Sequence, residues 1–343
     1  MDGAKRRGYV RSMTPMTITG YGAYAPREQR SSEALDAVFG QPSGWTETQF
    51  GIAVRGVAAP DETTSMMGAE AGRRALAMAG WAEGEFDVLI GACGVMEQPI
   101  PGASVLIQEA LGLGQSGIWT FDVNQTCLSF VAALDVAAMG FAAGRFRRAL
   151  IVSSDIPSCG LDWDTPASTA IFGDGAAAVC VQAGDDLDGP GLLSRGFETY
   201  GAFKDLATVR SGGTRVRVED GFEAFSEGAR FRMDPFGIFK AASRTLPALL
   251  DRVLAEAGLT RESVDVIVGH QASRPALEHA RRLMGGDPDR LIDIFATRGN
   301  QIAASLPTVL VEAHALGRLG PGKTVLLVGT AAGISLAAMV LRT

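Results

Sequence analysis

The chain has 343 residues, of which 47% are apolar and 20% charged, so it can bury a large core and a disordered chain is a poor reading. Its formal net charge is −7 with no long basic stretch, which argues against nucleic acid, whose phosphates need clustered Lys and Arg. Four cysteines with no CxxC pair and no zinc-ligand spacing to the three histidines argue against a disulfide framework or a metal site, and no apolar run approaches the roughly 20 residues of a membrane span.

In chain order, residues 1–15 read as an N-terminal extension without the apolar core of a signal peptide, and Lys5-Arg6-Arg7 as a solvated tail. The expected location is cytoplasmic, with free thiols. Residues 72–92 (GRRALAMAGWAEGEFDVLIGA) predict an amphipathic helix ended at Gly80, a turn, and a buried strand Val88-Leu89-Ile90. Residues 95–120, with Pro99 and Pro101, suggest a loop and a short helix. Ile118 to Val123 reads as a strand and Leu128 to Phe141 as a helix, with Cys127 at the junction. Strands are expected at Ala149–Ser153 and Ala176–Val181. Residues 195–235, rich in Gly, charge and Phe, read poorly as regular structure and suggest a lid or binding wall.

Residues 250–270 (LDRVLAEAGLTRESVDVIVGH) then repeat residues 72–92 without a gap, with Asp265 matching Asp87 at an offset of 178. Thr324–Val328 matches Ala149–Ser153 at a similar offset, and Ser335–Leu341 is a second apolar strand like Ala176–Val181. So long a period means a duplicated domain rather than a solenoid. The predicted division is an extension (1–15), a first α/β half (16–185), a loop and cap region (186–235) and a second half (236–343), each half a mixed sheet with helices.

Cys127 at a strand-to-helix junction lies where free N–H groups and the helix dipole favour a thiolate, which would lower its pKa and make it a nucleophile. A buried structural cysteine fits the same segment, and Cys93, Cys159 and Cys180 are read that way. His270 ends the second repeat's strand, where open α/β sheets place their sites, and the first repeat has Ala92 at that point. His279 and His314 fall in helical stretches and read as packing residues. Asn300 follows a glycine in a turn, and its Asn-Gln step also occurs at Asn124-Gln125 before Cys127. The duplication thus sets Asn300 on a turn that mirrors the Cys127 turn, although a plain turn asparagine reads identically.

Taken together, these segments resemble the ketoacyl-ACP synthase III family of the thiolase superfamily. The resemblance runs from Thr17 to Arg342 through Ile18–Pro26, the segment around Trp45 to Ile52, Asp122–Ala133, Ile171-Phe-Gly-Asp-Gly-Ala-Ala-Ala178, His270-Gln-Ala272, Gly299-Asn300, Ala303–Pro307 and Gly333. It implies a duplicated βαβαβαββ fold in five α-β-α-β-α layers, usually a homodimer, working without cofactor. It also implies acyl transfer from an acyl-CoA or acyl-ACP to Cys127, then decarboxylative condensation with malonyl-ACP or malonyl-CoA. His270 and Asn300 would bind the malonyl thioester oxygen. The backbone N–H of Cys127 and that near Gly333 would form the oxyanion hole.

Departures from the family pattern bear on the substrates. Trp45 matches the tryptophan of the family's coenzyme A site, but Gln49 and Pro166 stand where its arginines are expected. Ser273 replaces an asparagine in the substrate-binding run, followed by Arg274-Pro275. Lys240 and Arg244 fall on the helix that faces the acyl carrier protein in the family, and they read equally as solvated charges. The pattern suggests a specialised rather than a housekeeping synthase. Acyl transfer to another oxygen or nitrogen acceptor, head-to-head condensation, and a non-catalytic subunit of a synthase heterodimer remain as alternatives.

Overall fold

The computed structural model describes residues 13–343; the Lys5-Arg6-Arg7 tail lies outside the described residues. The chain starts with β1 (Thr14–Tyr24), β2 (Glu28–Ser31), α1 (Ser32–Val38), α2 (Trp45–Phe50) and β3 (Val54–Val57), with β2 and β3 paired as an antiparallel ribbon. Then come α3 (Thr64–Ala79), β4 (Val88–Gly91), α4 (Ala103–Ala110), β5 (Trp119–Asp122), α5 (Ser129–Ala142), β6 (Arg148–Asp155), α6 (Pro166–Thr169) and β7 (Gly175–Ala183). A middle segment holds β8 (Gly191–Thr199), β9 (Ala207–Thr208), α7 (Phe222–Ala229) and β10 (Arg232–Met233). The second half supplies α8 (Pro235–Ala257), β11 (Val266–Gly269), α9 (Arg274–Leu283), α10 (Phe295–Arg298), α11 (Ser305–Ala315), β12 (Thr324–Ala331) and β13 (Ser335–Arg342).

The main strands run in the order β11-β12-β13-β8-β1-β7-β6-β4-β5. β4 is parallel to β5 and β6, and β11 to β12; the remaining neighbours are antiparallel. β1 joins the halves, since Met16–Tyr24 pair with β7 while Thr14 and Pro15 pair with β8.

The period-two alternation of a strand sorts its side chains to opposite faces, and here both faces are covered. Val88, Ile90, Ala149 and Ile151 from one half, and Val266, Val268, Val325 and Leu327 from the other, pack on one inner core with Phe130 and Leu134 of α5 and Leu306 and Val309 of α11. Their neighbours Leu89, Leu150 and Val152 face outward onto α3 and α4, with Met67, Leu76 and Ile107. Ile267, Leu326 and Val328 face α8 and α9, with Leu249, Val253 and Leu277. Helices therefore cover both outer faces and fill the space between the sheets, which is the five-layer α/β architecture expected.

The duplication holds residue by residue. Val88 to Gly91 of β4 pair with Ala149 to Val152 of β6, and Val266 to Gly269 of β11 pair with Val325 to Val328 of β12. Gly80 and Gly258, which end α3 and α8, are both left-handed (φ 69° and 74°), as the repeat predicted. The segment expected as loop and cap is more ordered at its start: β8 is a strand between β1 and β13. Its charged residue disguised it, and Arg195 is neutralised there by Asp135 of α5. Phe197 and Phe231 pack on the cores, while Phe222 stays 84% exposed.

Candidate active site

Cys127 sits between β5 and α5, one residue before the helix cap Leu128. Its turn is locked by side chains that match the local sequence. Asn124 Oδ1 accepts from Thr126 N–H at 2.9 Å, and Ser129 Oγ accepts from Gln125 N–H at 2.9 Å. Thr126 is thereby held left-handed at φ 49°.

The Asn300 turn has the same construction 176 residues later. Asn300 Oδ1 accepts from Ile302 N–H at 2.9 Å, Ser305 Oγ accepts from Gln301 N–H at 2.9 Å, and Ile302 is left-handed at φ 53°. With Oδ1 engaged by that N–H, the Nδ2 of the Asn300 amide is left as its donor. The Ile171–Gly175 segment fixes this turn. Ile171 C=O accepts from Asn300 N–H at 2.7 Å, and Gly173 N–H donates to Asn300 C=O at 3.1 Å. Arg55, only 1% exposed, donates through Nη1 to the carbonyls of Thr169, Ala170 and Phe172 at 2.5, 3.0 and 2.6 Å. Gly299 (φ 66°) is required, because a Cβ there would lie 2.6 Å from Ile171 O.

Two glycines let the parts converge. A Cβ on Gly329 would meet His270 Cβ at 2.9 Å and Leu128 Cδ2 at 3.1 Å, so the histidine and the residue after the cysteine close on one point of β12. A Cβ on Gly94 would meet Ile302 Cγ2 at 2.5 Å and Thr126 C at 3.3 Å, so both turns also meet at one point. His270 is anchored by its N–H to Val328 C=O at 2.9 Å. The structure thus gathers Cys127, His270 and Asn300 around the ends of β4, β6, β11 and β12, where the sequence set them separately.

The electrostatics divide the three roles. Burial holds His270 down to about 4, so its ring is neutral near pH 7. Its Nδ1 is buried with no partner among the described residues, whereas Nε2 keeps accessible surface and is the nitrogen able to meet a ligand. Cys127 differs from expectation. Burial pushes its thiol up to about 12, the charge of Asp155 adds to this, and the N–H groups of Cys127 and Ala332 only partly offset it. The lowering expected from the helix terminus is not what results: α5 begins two residues later, and burial is the largest influence on the thiol. The backbone N–H facing the sulfur from the β12–β13 turn is that of Ala332, next to Gly333, whose φ is 133°.

The remaining predicted residues lie apart from this centre. Trp45 opens α2 and meets Phe50 edge-on at 5.3 Å and Phe39 at 6.4 Å. Gln49 is exposed on that helix, and Pro166 is the first residue of α6. Ser273 caps α9, its hydroxyl accepting from Ala276 N–H at 3.4 Å, which gives that serine a structural use. Arg274 runs along Gly51 at the end of α2, with Cδ 2.8 Å from the position a Cβ would take. Lys240 and Arg244 are exposed on α8 one turn apart.

Sequence reasoning missed Arg55 and Trp163, which stacks on Phe39 at 6.3 Å and lies under the Arg55 guanidinium at 5.4 Å. It also missed Asp155, a fully buried carboxylate that accepts from Gly94 and Val95 N–H at 2.7 and 2.6 Å and from Ala304 N–H at 3.1 Å. The signal was available: extending the strand repeat by a few residues sets this charge opposite Ala331.

Comparison with known proteins gives a consistent picture. The profile of 3-oxoacyl-[acyl-carrier-protein] synthase III matches residues 121–201, and that of the C-terminal part of the same enzyme matches residues 254–343. A beta-ketoacyl-[acyl-carrier-protein] synthase III of Neisseria meningitidis is 32% identical over 325 residues, covering 95% of this chain and 98% of its own. That of Oleidesulfovibrio alaskensis is 32% identical over 338 residues, covering 96% and 99%. Among solved structures, the synthase III of Pseudomonas aeruginosa superposes with a TM-score of 0.85 at 27% identity, over 96% of this chain and 98% of its own. A priming beta-ketosynthase from a polyketide biosynthetic pathway gives 0.85 at 26% identity, over 98% of both chains.

Proposed function

The chain belongs to the 3-oxoacyl-[acyl-carrier-protein] synthase III family of condensing enzymes, and on that premise we propose that it loads an acyl group on Cys127 and condenses it with a malonyl thioester. One observation carries the reading: two buried polar residues, His270 and Asn300, converge with the cysteine turn, the histidine is neutral, and the asparagine has its Oδ1 engaged by Ile302 N–H.

The steps follow from these groups. Cys127 Sγ attacks the acyl thioester, and the thiol proton leaves with the carrier thiol, so the exchange creates no net charge. Since the resting thiol is pushed up to about 12, sulfur and proton part only as the carbonyl carbon is engaged. The carbonyl oxygen gains charge beside the N–H groups of Cys127 and the β12–β13 turn. In the second stage malonate loses CO₂ and its electron pair passes to the thioester oxygen. Fixed donors at His270 and Asn300 stabilise that oxygen because they strengthen as the charge grows. A neutral histidine suits this role, since it donates without taking a permanent proton. The enolate carbon then attacks the acyl carbonyl, the carbon–sulfur bond breaks, and Cys127 recovers a proton as the 3-oxoacyl thioester leaves.

Trp45 and the exposed Lys240 and Arg244 support a donor and a carrier protein approaching from the α2 and α8 side. Gln49 and Pro166 support a specialised substrate, since neither can read a phosphate as arginine does. A homodimer is the assembly implied. The test is a panel of acyl thioesters followed by intact-mass analysis, with CO₂ release from labelled malonyl thioester. Acyl adducts that vanish in Cys127→Ala, together with CO₂ release, are expected. A loaded enzyme that releases no CO₂ would favour transfer to another acceptor, and no adduct at all would favour a non-catalytic subunit.

A further inference from the structure

The duplication gives each half the same turn, and the two copies are finished differently. Register fixes the correspondence. Asp155 ends β6 and pairs with Gly175, while Ala331 ends β12 and pairs with Ser335. The residues are therefore equivalent, 176 positions apart, as are Cys127 and Ala303, and Leu128 and Ala304. In the second half, the N–H groups of Ala303 and Ala304 point at a carboxylate, that of Asp155. In the first half Ala331 stands in that place and supplies no carboxylate, so the Leu128 N–H keeps only its turn bond to Gln125 C=O at 3.1 Å, the counterpart of the Ala304 N–H bond to Gln301 C=O.

We propose that Asp155 is a positioning residue whose carboxylate fills, on the Asn300 turn, the anion position that its Ala331 counterpart leaves open for the substrate oxygen on the Cys127 turn. This rests on the condensing role given above to Cys127 and Asn300.

Three features support it. Asp155 is 0% exposed, and its acceptors are taken only by backbone N–H groups, from Gly94, Val95, Ala303 and Ala304. No cation is among the groups acting on it, so the backbone alone holds the carboxylate. A carboxylate held this way fixes two loops at once: Gly94 lies against both turns, and Ala303-Ala304 directly follow Ile302, whose N–H orients Asn300. Third, the assignment explains the asymmetry at the ends of β4 and β11. The half that keeps Asp155 has Ala92 where the other has His270, so the buried carboxylate and the buried imidazole never occupy the same copy.

The test separates the two half-reactions in Asp155→Ala and Asp155→Asn. The first is acylation of Cys127, read by intact mass. The second is decarboxylation of labelled malonyl thioester, read on enzyme already acylated. Decarboxylation is expected to fall on the order of 10²-fold, as for a misplaced catalytic group, with acylation reduced at least tenfold less. A general packing defect would lower both together, so an equal loss, or wild-type decarboxylation, overturns the proposal. The reciprocal variant Ala331→Asp should block acylation by placing a carboxylate on the Cys127 turn; Ala331→Asn, which adds no charge, serves if that protein does not fold. Acylation at the wild-type rate in a folded Ala331 variant overturns it equally. If the wild type itself releases no CO₂, the condensing role fails rather than the placement of Asp155, which the Ala331 arm still tests.

Discussion

The Cys127 turn and the Asn300 turn share a backbone and differ in chemistry. Each has an asparagine folded onto the N–H two residues on, a serine closing the turn from the following helix, and a non-glycine residue held left-handed between them. One copy presents a sulfur, with no carboxylate facing the N–H groups of its turn. The other presents alanine at that point and leaves the asparagine Nδ2 as a donor. The lesson is that a rigid, strained turn is a reusable scaffold, and its role depends on one side chain and on the residue across from it.

The largest expected break in this comparison is Cys127→Ala, which makes the first turn resemble the second. Condensation should fall at least about 10³-fold with no acyl adduct by intact mass, because the covalent step has no substitute. Next is Asn300→Asp, which keeps the oxygen that accepts Ile302 N–H but exchanges the amide donor for negative charge. Decarboxylation by the acyl-enzyme should drop on the order of 10²- to 10³-fold, with acylation retained, as measured by labelled CO₂ release.

A smaller effect is expected at Gly329, the point where His270 and Leu128 meet. Gly329→Ala forces a Cβ to 2.9 Å from His270 Cβ, and the overpacking should cost about 1–3 kcal/mol in urea unfolding, with reduced kcat.

The two buried ionisable groups respond to pH with opposite signs. Burial lowers His270 to about 4 from 6.5, so the stability of the neutral ring is full above about 6.5 and is lost as pH falls through about 4. Asp155 runs oppositely. Burial raises it to about 7 from 3.8, so its stability is full below 3.8 and is lost as pH rises through about 7. The two slopes oppose each other over nearly the same window, so in urea unfolding from pH 4 to 7 His270→Ala should make stability fall more steeply with rising pH, and Asp155→Asn should make it rise. The smallest effect is at the strained residues. Thr126→Gly should raise stability by up to about 1 kcal/mol in urea unfolding, and Ile302→Gly by less, because Ile302 also packs on the outer core.

Much of the architecture was readable because it rests on local patterns. The helix-Gly-turn-strand repeat of 72–92 and 250–270 reappears as α3–β4 and α8–β11, with both glycines left-handed. β8 was hidden because Arg195 breaks the apolar pattern, and Asp135, sixty residues away, compensates it. The same limit affected Cys127. Its place before a helix was legible, but the burial that raises its thiol was not. Ser273 looked like a substrate contact, while its hydroxyl caps α9.

The sequence by itself determined the duplicated α/β halves, because periodicity, turn chemistry and the repeat are all short-range or self-referential signals, and its motifs carried the resemblance to the family and singled out Cys127, His270 and Asn300 as candidates. Only the tertiary structure decided which groups face one another: that Gly94 and Gly329 draw the two turns and the histidine together, that Asp155 reaches from β6 to the Asn300 turn, and that the resting thiol is protonated. Those outcomes depend on desolvation and on contacts between residues far apart in the chain, which exist only once the two halves are packed against each other.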